Sequence, residues 1–316
     1  MNSSSYRHNT AFAALAVGIA AAGLLVTNNY YLQLLTFIGI HTLLALGLNM
    51  LMGYAGQISL GHAAFYGIGA YSTAILTVHV GLSPWIALPG AIAAAAAVAY
   101  IVGMPTLKLS GYYLGMGTLG FGMIVHIMLR EWSSITGGAS GFIGIPPLTL
   151  GPVSLASGRN YFYLVWALVL ISILICRRII ESRLGRGLRA IHDGEKAAAA
   201  VGVNTRKLKL QVFVLSAVFS ALAGFFYAHM VCFLSPGTFD FVASIRIVTM
   251  VVIGGMASIW GALLGASLLT LLPEWLHFFS ELEMLIYGLI LMGVMIFLPQ
   301  GLTRGLLDLY ERTKRH

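Results

Sequence analysis

Apolar residues run along this chain in long stretches broken by short polar segments. A helix that crosses a bilayer needs about 20 apolar residues, with roughly 17–25 tolerated. Ten stretches approach that length: about 11–27, 30–52, 58–79, 85–103, 110–130, 160–180, 208–231, 242–256, 258–273 and 284–299. The eighth and ninth are short, and the break between them at Gly254-Gly255-Met256 reads either as a re-entrant turn or as a true exit. The pattern predicts an all-α polytopic membrane protein of about 8–10 transmembrane helices, forming one domain over residues 1–316.

Composition closes off the soluble alternatives. The chain is 59% hydrophobic and only 9% charged, against about 25% charged in soluble domains. The N-terminal MNSSSYRHNT followed by Ala11–Val26 superficially resembles a signal peptide. No clear cleavage site followed by a soluble domain accompanies it, so it is read as a first span kept in the mature chain.

Charge then sets the orientation. Nine of the 18 Lys and Arg residues lie between Arg177 and Lys209. If that loop faces the cytoplasm, six preceding spans put the N-terminus and Arg7 inside, with Lys108, Arg304, Arg312, Lys314 and Arg315. That is 15 basic residues inside and three (Arg130, Arg159, Arg246) outside or at the outer edge, the asymmetry expected of membrane proteins. Both termini are therefore expected in the cytoplasm. Basic residues spread over span ends give no reason to invoke nucleic acid, despite the formal charge of +8. The segment 131–159 becomes a periplasmic loop, whose ITGGASGFIGIPPLTLGP favours turns over helix.

Few residues point to chemistry. Gly115-Met-Gly117-Thr-Leu-Gly120 matches a dinucleotide fingerprint, but it lies inside an apolar span without the strand or the acid that pattern needs. The chain holds no GxxxxGK[ST], HExxH, CxxC or GxSxG sequence. His41, His62, His126 and His229 fall on different spans and read as hydrogen-bonded packing residues, so no metal is expected; Cys176 and Cys232 read as small apolar packing residues. The pairs Gly111/Gly115 and Gly261/Gly265 have the spacing that lets helices approach closely, and are read as intrachain packing.

Two segments carry more. In Gly53-Tyr-Ala-Gly56-Gln57-Ile-Ser59-Leu-Gly61-His62, three glycines and three polar side chains interrupt apolar sequence where the third span should begin. This is either a broken helix lining a path, as transporters use, or a tight cytoplasmic turn with an ordinary cap. Gln57, Ser59 and His62 are the candidate path residues. In the basic loop, Asp193 is a candidate N-cap, EKAAAA a strong helix former and Gly202 a helix terminator. Together they predict one short cytoplasmic helix of about two turns with a small-residue face.

That loop, continued into LQVFVLSAVFSALAGFFYAHMVCFLSP, resembles the inner-membrane permeases of branched-chain amino acid ABC importers of the LivM type. So do GYAGQISLGHAAFYGIGAY at 53–71, LSGYYLGMGTLGFG at 109–122, TGGASGFIGIP at 136–146 and IRIVTMVVIGGMASIWGALLGA at 245–266, in the family's order. The resemblance implies a non-enzymatic permease subunit of the bacterial inner membrane. It implies pairing with a second, homologous permease, two ATPase subunits that hold the ATP and Mg, and a periplasmic substrate-binding protein. This chain itself would hold no cofactor, and its other neighbour is membrane lipid. The short helix becomes a coupling helix in a cytoplasmic loop at 181–207, where Glu195, Ala198 and Gly202 match the spacing of the family's EAA…G sequence loosely and the Ile-x-Leu-Pro ending is absent. Arg189, Asp193, Glu195, Ala198 and Gly202 are thus the expected ATPase-coupling residues, with Arg183, Arg186 and Arg206 as basic flanks. Related permeases import urea, short amides or aromatic acids. An ion-coupled carrier is the less favoured class, since Glu131, Asp240, Glu274, Glu281 and Glu283 sit near span edges rather than inside them. A membrane-embedded enzyme lacks any nucleophile or metal constellation.

Overall fold

The computed structural model describes residues 3–150, 153–155 and 158–275, with the isolated positions 285, 288, 289, 292, 293 and 302. The expected span at 284–299 and the basic tail after it lie outside the described residues, apart from those isolated positions. Helices dominate, because in hydrocarbon each backbone N–H and C=O must find a partner within its own segment. In chain order they are α1 (Ser3–Leu25), α2 (Asn29–Asn49), α3 (His62–Ala74), α4 (Pro84–Thr106), α5 (Tyr112–Glu131) and the single turn α6 (Ser133–Thr136). After the longest loop come α7 (Gly158–Glu181), α8 (Arg183–Asp193), α9 (Glu195–Ala200), α10 (Thr205–Val231), α11 (Phe241–Gly254) and α12 (Ile259–Trp275). Among the described residues, five helical stretches are long and apolar enough to cross a bilayer: Asn29–Tyr54, Pro84–Thr106, Tyr112–Glu131, Gly158–Glu181 and Thr205–Val231.

Helix α10 is the axis of the bundle, packed on α3, α4 and α2. Small residues make this closeness possible, since lipid offers helices no hydrophobic reason to associate. On α4, Ala87, Ala91, Ala95, Ala99 and Gly103 recur every fourth position and are all buried, forming one smooth stripe. Where α3 crosses α10, a Cβ added to Gly224 would stand 2.2 Å from the Tyr66 carbonyl oxygen.

Helices α11 and α12 form a tight antiparallel hairpin, with Gly254 against Gly261 and Gly265 against Met250. Intrachain packing therefore accounts for Gly261 and Gly265. The expectation fails for Gly111, which stands before α5 at φ +54 with open space around it. Fourteen residues of α11 span only about 21 Å, less than the hydrocarbon thickness. The chain reverses at Gly255–Ser258, and Asn49 clamps the reversal: its Nδ2 donates to Ser258 O (2.7 Å) and its Oδ1 accepts from Ala257 N (2.9 Å).

At the end of the bundle opposite α8 and α9, the loop after α6 carries β1 (Phe142–Ile143), β2 (Thr149–Leu150) and β3 (Val153–Ser154). Strand β1 pairs antiparallel with β4 (Phe233–Leu234), which follows α10. His229 fastens this cap, with Nδ1 2.7 Å from Pro146 O and Nε2 3.3 Å from Thr73 Oγ1. Trp85 Nε1 donates to Thr149 O at 2.7 Å. Among the described residues of 131–159, the turn-rich composition yields single helical turns, two-residue strands and irregular backbone rather than a long helix.

Candidate functional site

The third span begins four residues later than its apolar run suggests. Helix α2 ends in a wide π-type turn, Met50–Tyr54. Gly56 then takes φ +65, in the left-handed region that glycine adopts without strain. Residues 57–61 stay irregular until α3 starts at His62. Side chains from other helices supply what a local cap would have given. Leu60 N donates to Thr118 Oγ1 of α5 (3.0 Å), and Ala63 N to Ser244 Oγ of α11 (3.1 Å). No side chain of its own segment caps α3. The segment 53–62 therefore lacks the ordinary side-chain cap, and within it Gln57, Ser59 and His62 are buried while Gly56 and Ile58 are exposed.

Ser59 and His62 meet there. His62 Nδ1 lies 2.9 Å from Ser59 Oγ, and its Nε2 is hydrogen-bonded to Ser216 Oγ of α10. All three residues are fully buried. Each ring nitrogen therefore faces a hydroxyl, which can donate or accept as the tautomer requires. Gln57 is not part of this knot: its Nε2 donates to Ala55 O at 3.0 Å, within the turn. Ser216, Thr118 and Ser244 were not singled out from the sequence. Isolated hydroxyl residues in apolar helices usually bond their own backbone four residues back, and nothing in the sequence marks which of them face His62.

The basic loop holds two helices rather than one. Its longer member, α8, reads RLGRGLRAIHD, whose two glycines resemble a loop. Tertiary contact overrides that propensity: Leu188 and Ile191 are buried, and Ser182 Oγ caps the helix by accepting from Leu184 N at 3.1 Å. Asp193 is the last residue of α8 and not the N-cap of the next helix; Gly194 occupies that position, with no side-chain cap. Helix α9 is six residues, a little under two turns. Gly202 does close it, at φ +85, with Val203 N donating to Ala198 O at 3.1 Å.

The remaining coupling candidates divide by what they touch. Arg189 Nη2 donates to Ile180 O (3.1 Å) and Arg186 Nη1 to Glu181 O (3.3 Å), so both satisfy carbonyls at the C-terminus of α7. Ala198 faces inward and is 3% exposed, while Lys196, Ala197, Ala199, Ala200 and Val201 face outward. Glu195 Oε1 accepts from Lys209 Nζ of α10 at 2.8 Å, and the Lys209 side chain is only 4% exposed. Seven positions separate Lys209 from Ser216, so they share one face of α10, about two turns apart. At the end of α8, His192 packs on Gly56, where an added Cβ would stand 3.0 Å from its Nδ1. The α8–α9 segment thus touches the helices that build the buried hydroxyl–imidazole knot at two places.

Residues 30–298 match the family described as branched-chain amino acid transport system, permease component. The high-affinity branched-chain amino acid transport system permease protein LivM of Escherichia coli is 36% identical, over 90% of this chain and 72% of its own length. The LivH permease protein of the corresponding Salmonella typhimurium system is 26% identical, over 72% of this chain and 79% of its own. The autoinducer 2 import system permease protein LsrC of Yersinia pestis is 27% identical, over 92% of this chain and 84% of its own. No solved structure gives a significant match.

Proposed function

This chain belongs to the family of permease components of branched-chain amino acid transport systems, and from that premise we propose that it conducts branched-chain amino acids as one of two related permeases in an ATP-driven importer. Similarity to both LivM and LivH proteins supports pairing with a homologous second permease. Two ATPase subunits would bind ATP and Mg, a periplasmic binding protein would deliver the substrate, and α8 and α9 would lie in the cytoplasm. A chain without a P-loop sequence draws its work from those partners.

The observation that carries this reading is the outward face of α9, bracketed by Glu195–Lys209 on one side and His192–Gly56 on the other. An ATPase that grips Ala199, Ala200 and Val201 would push on a lever fixed to α10 and to the α2–α3 turn. Rigid elements with such fixed ends transmit motion as rocking of packed helices. His62, Ser59 and Ser216 stand where α10 would shift against α3, and Gln57 lines the adjacent turn. These are the residues we assign to the gate of the path. Apolar substrates need few polar contacts in passage, so selectivity would rest largely on the binding protein.

The test is reconstitution of the assembled importer in proteoliposomes. Ala199→Asp with Ala200→Asp should abolish ATP-dependent leucine uptake and substrate-stimulated ATP hydrolysis while leaving the permease inserted. Uptake of urea, short amides or aromatic acids in preference to leucine would replace the substrate and keep the architecture. Leucine uptake at wild-type rates in the double variant would overturn the role of α9.

A further inference from the structure

Beside the coupling helix the structure holds a groove that the transport reading does not use. It runs between α8 and the first third of α10. Its mouth is formed by Arg183, Arg186 and Lys207, together with Asn204 and Gln211. All three cations are exposed. Among the described residues neither Arg183 nor Lys207 has a side-chain partner, and no carboxylate lines the groove. Below the mouth the lining turns apolar. Leu188 and Val212 form its floor, and Ile179, Leu184, Leu208 and Leu215 its walls. Leu184, Leu208 and Gln211 line both parts, so mouth and trough are continuous. From Lys207 to Leu215 the trough follows α10 for about 12 Å.

A second feature reinforces the positive mouth. Two helices begin at it: α8 at Arg183, capped by Ser182, and α10 at Thr205, capped by Asn204 Oδ1 accepting from Lys207 N at 3.0 Å. Helix N-termini carry partial positive charge and unpaired N–H groups that suit a phosphate. Three side-chain cations and two helix starts meet an apolar channel at a membrane-surface level. Protein partners of basic loops offer carboxylates but no long alkyl chain, whereas one molecule carries both features.

We propose that this groove binds an anionic phospholipid of the cytoplasmic leaflet, with its phosphate at Arg183, Arg186 and Lys207 and one acyl chain along Leu188, Val212 and Leu215. The leaflet rests on the orientation proposed above; the groove does not. The lipid would brace α8 against α10 at the base of the coupling segment.

The assembled transporter in phosphatidylcholine nanodiscs, doped with phosphatidylglycerol bearing a photoreactive group on its acyl chain, provides the test. Mass spectrometry should place adducts on peptides holding Leu188, Val212 or Leu215. Arg183→Gln with Lys207→Gln should lower adduct yield about 30-fold, roughly fivefold per cation removed, with the complex still assembled. Leu215→Trp, which fills the trough and keeps the cations, should lower it as well. Equal labelling by a phosphatidylcholine probe, or unchanged yield in the double variant, would overturn the proposal. So would labelling of these peptides only when the ATPase or second permease is absent, since a subunit would then occupy the groove. Reactivity of a cysteine at Val201 settles orientation independently, so failure of the leaflet assignment is distinguishable from failure of the site.

Discussion

Lys209 and Glu195 form an ion pair of 2.8 Å that ties the short helix α9 to the base of the bundle's central helix. The lysine side chain is 4% exposed and the glutamate 38%, so the pair is half sheltered and its partners are unequal. Removing the carboxylate strands a buried cation, whereas removing both charges does not. Breaking one side of a buried pair costs about 3–5 kcal/mol, and partial exposure of Glu195 lowers that to about 1–3 kcal/mol here.

Glu195→Ala should therefore lower the thermal stability of the purified complex and reduce uptake per ATP hydrolysed. Lys209→Met added to it should recover most of the stability and little of the coupling. Thermal unfolding and paired uptake and hydrolysis rates read both quantities. If the double variant transports normally, the pair only holds the fold.

Ser216→Ala leaves one nitrogen of the buried His62 ring without its hydroxyl. An unsatisfied buried polar group costs about 1–3 kcal/mol. Uptake should fall severalfold while assembly survives, and Ser216→Thr should restore part of it if the hydroxyl is what matters. Wild-type uptake by Ser216→Ala would remove this group from the gate.

The crossing of α3 and α10 leaves no room for a side chain at Gly224. Gly224→Val should prevent accumulation of folded protein, because its Cβ would meet the Tyr66 carbonyl at 2.2 Å. Gly18→Ala, where nothing lies within 4 Å, should be neutral. Size-exclusion profiles of the two variants in detergent make the comparison.

A cysteine at Val201, 78% exposed, and one at Ile143, 72% exposed, lie at opposite ends of the bundle. In a Cys232→Ser background, a membrane-impermeant maleimide should label Ile143→Cys in intact cells. It should reach Val201→Cys only after permeabilisation. The reverse pattern inverts the orientation and with it the coupling reading.

Asn49 holds the α11–α12 reversal through both ends of its amide. Asn49→Asp keeps the acceptor and loses the donor, while Asn49→Leu loses both. Stability should fall in that order, with protease sensitivity appearing first near Ala257.

The sequence by itself determined that this chain is a helical membrane protein, where most of its spans lie, and which family it belongs to. Each of those rests on local information: runs of apolar residues as long as a bilayer is thick, and blocks of residues in a fixed order. It also marked Gly56, whose positive φ ends the second span, and Gly202, whose positive φ ends α9. Only the tertiary structure decided the rest. The start of α3 at His62, the helix α8 hidden under its glycines, and the displacement of Asp193 by Gly194 all depend on groups distant in sequence. Thr118, Ser244 and Ser216 reach the 57–63 segment from three other helices. A hydroxyl in an apolar run gives no sign of which way its helix turns, and that rotation is set by close contacts such as Gly224 on Tyr66. The neighbours of a buried polar atom are a property of packing, and packing is written across the whole chain at once.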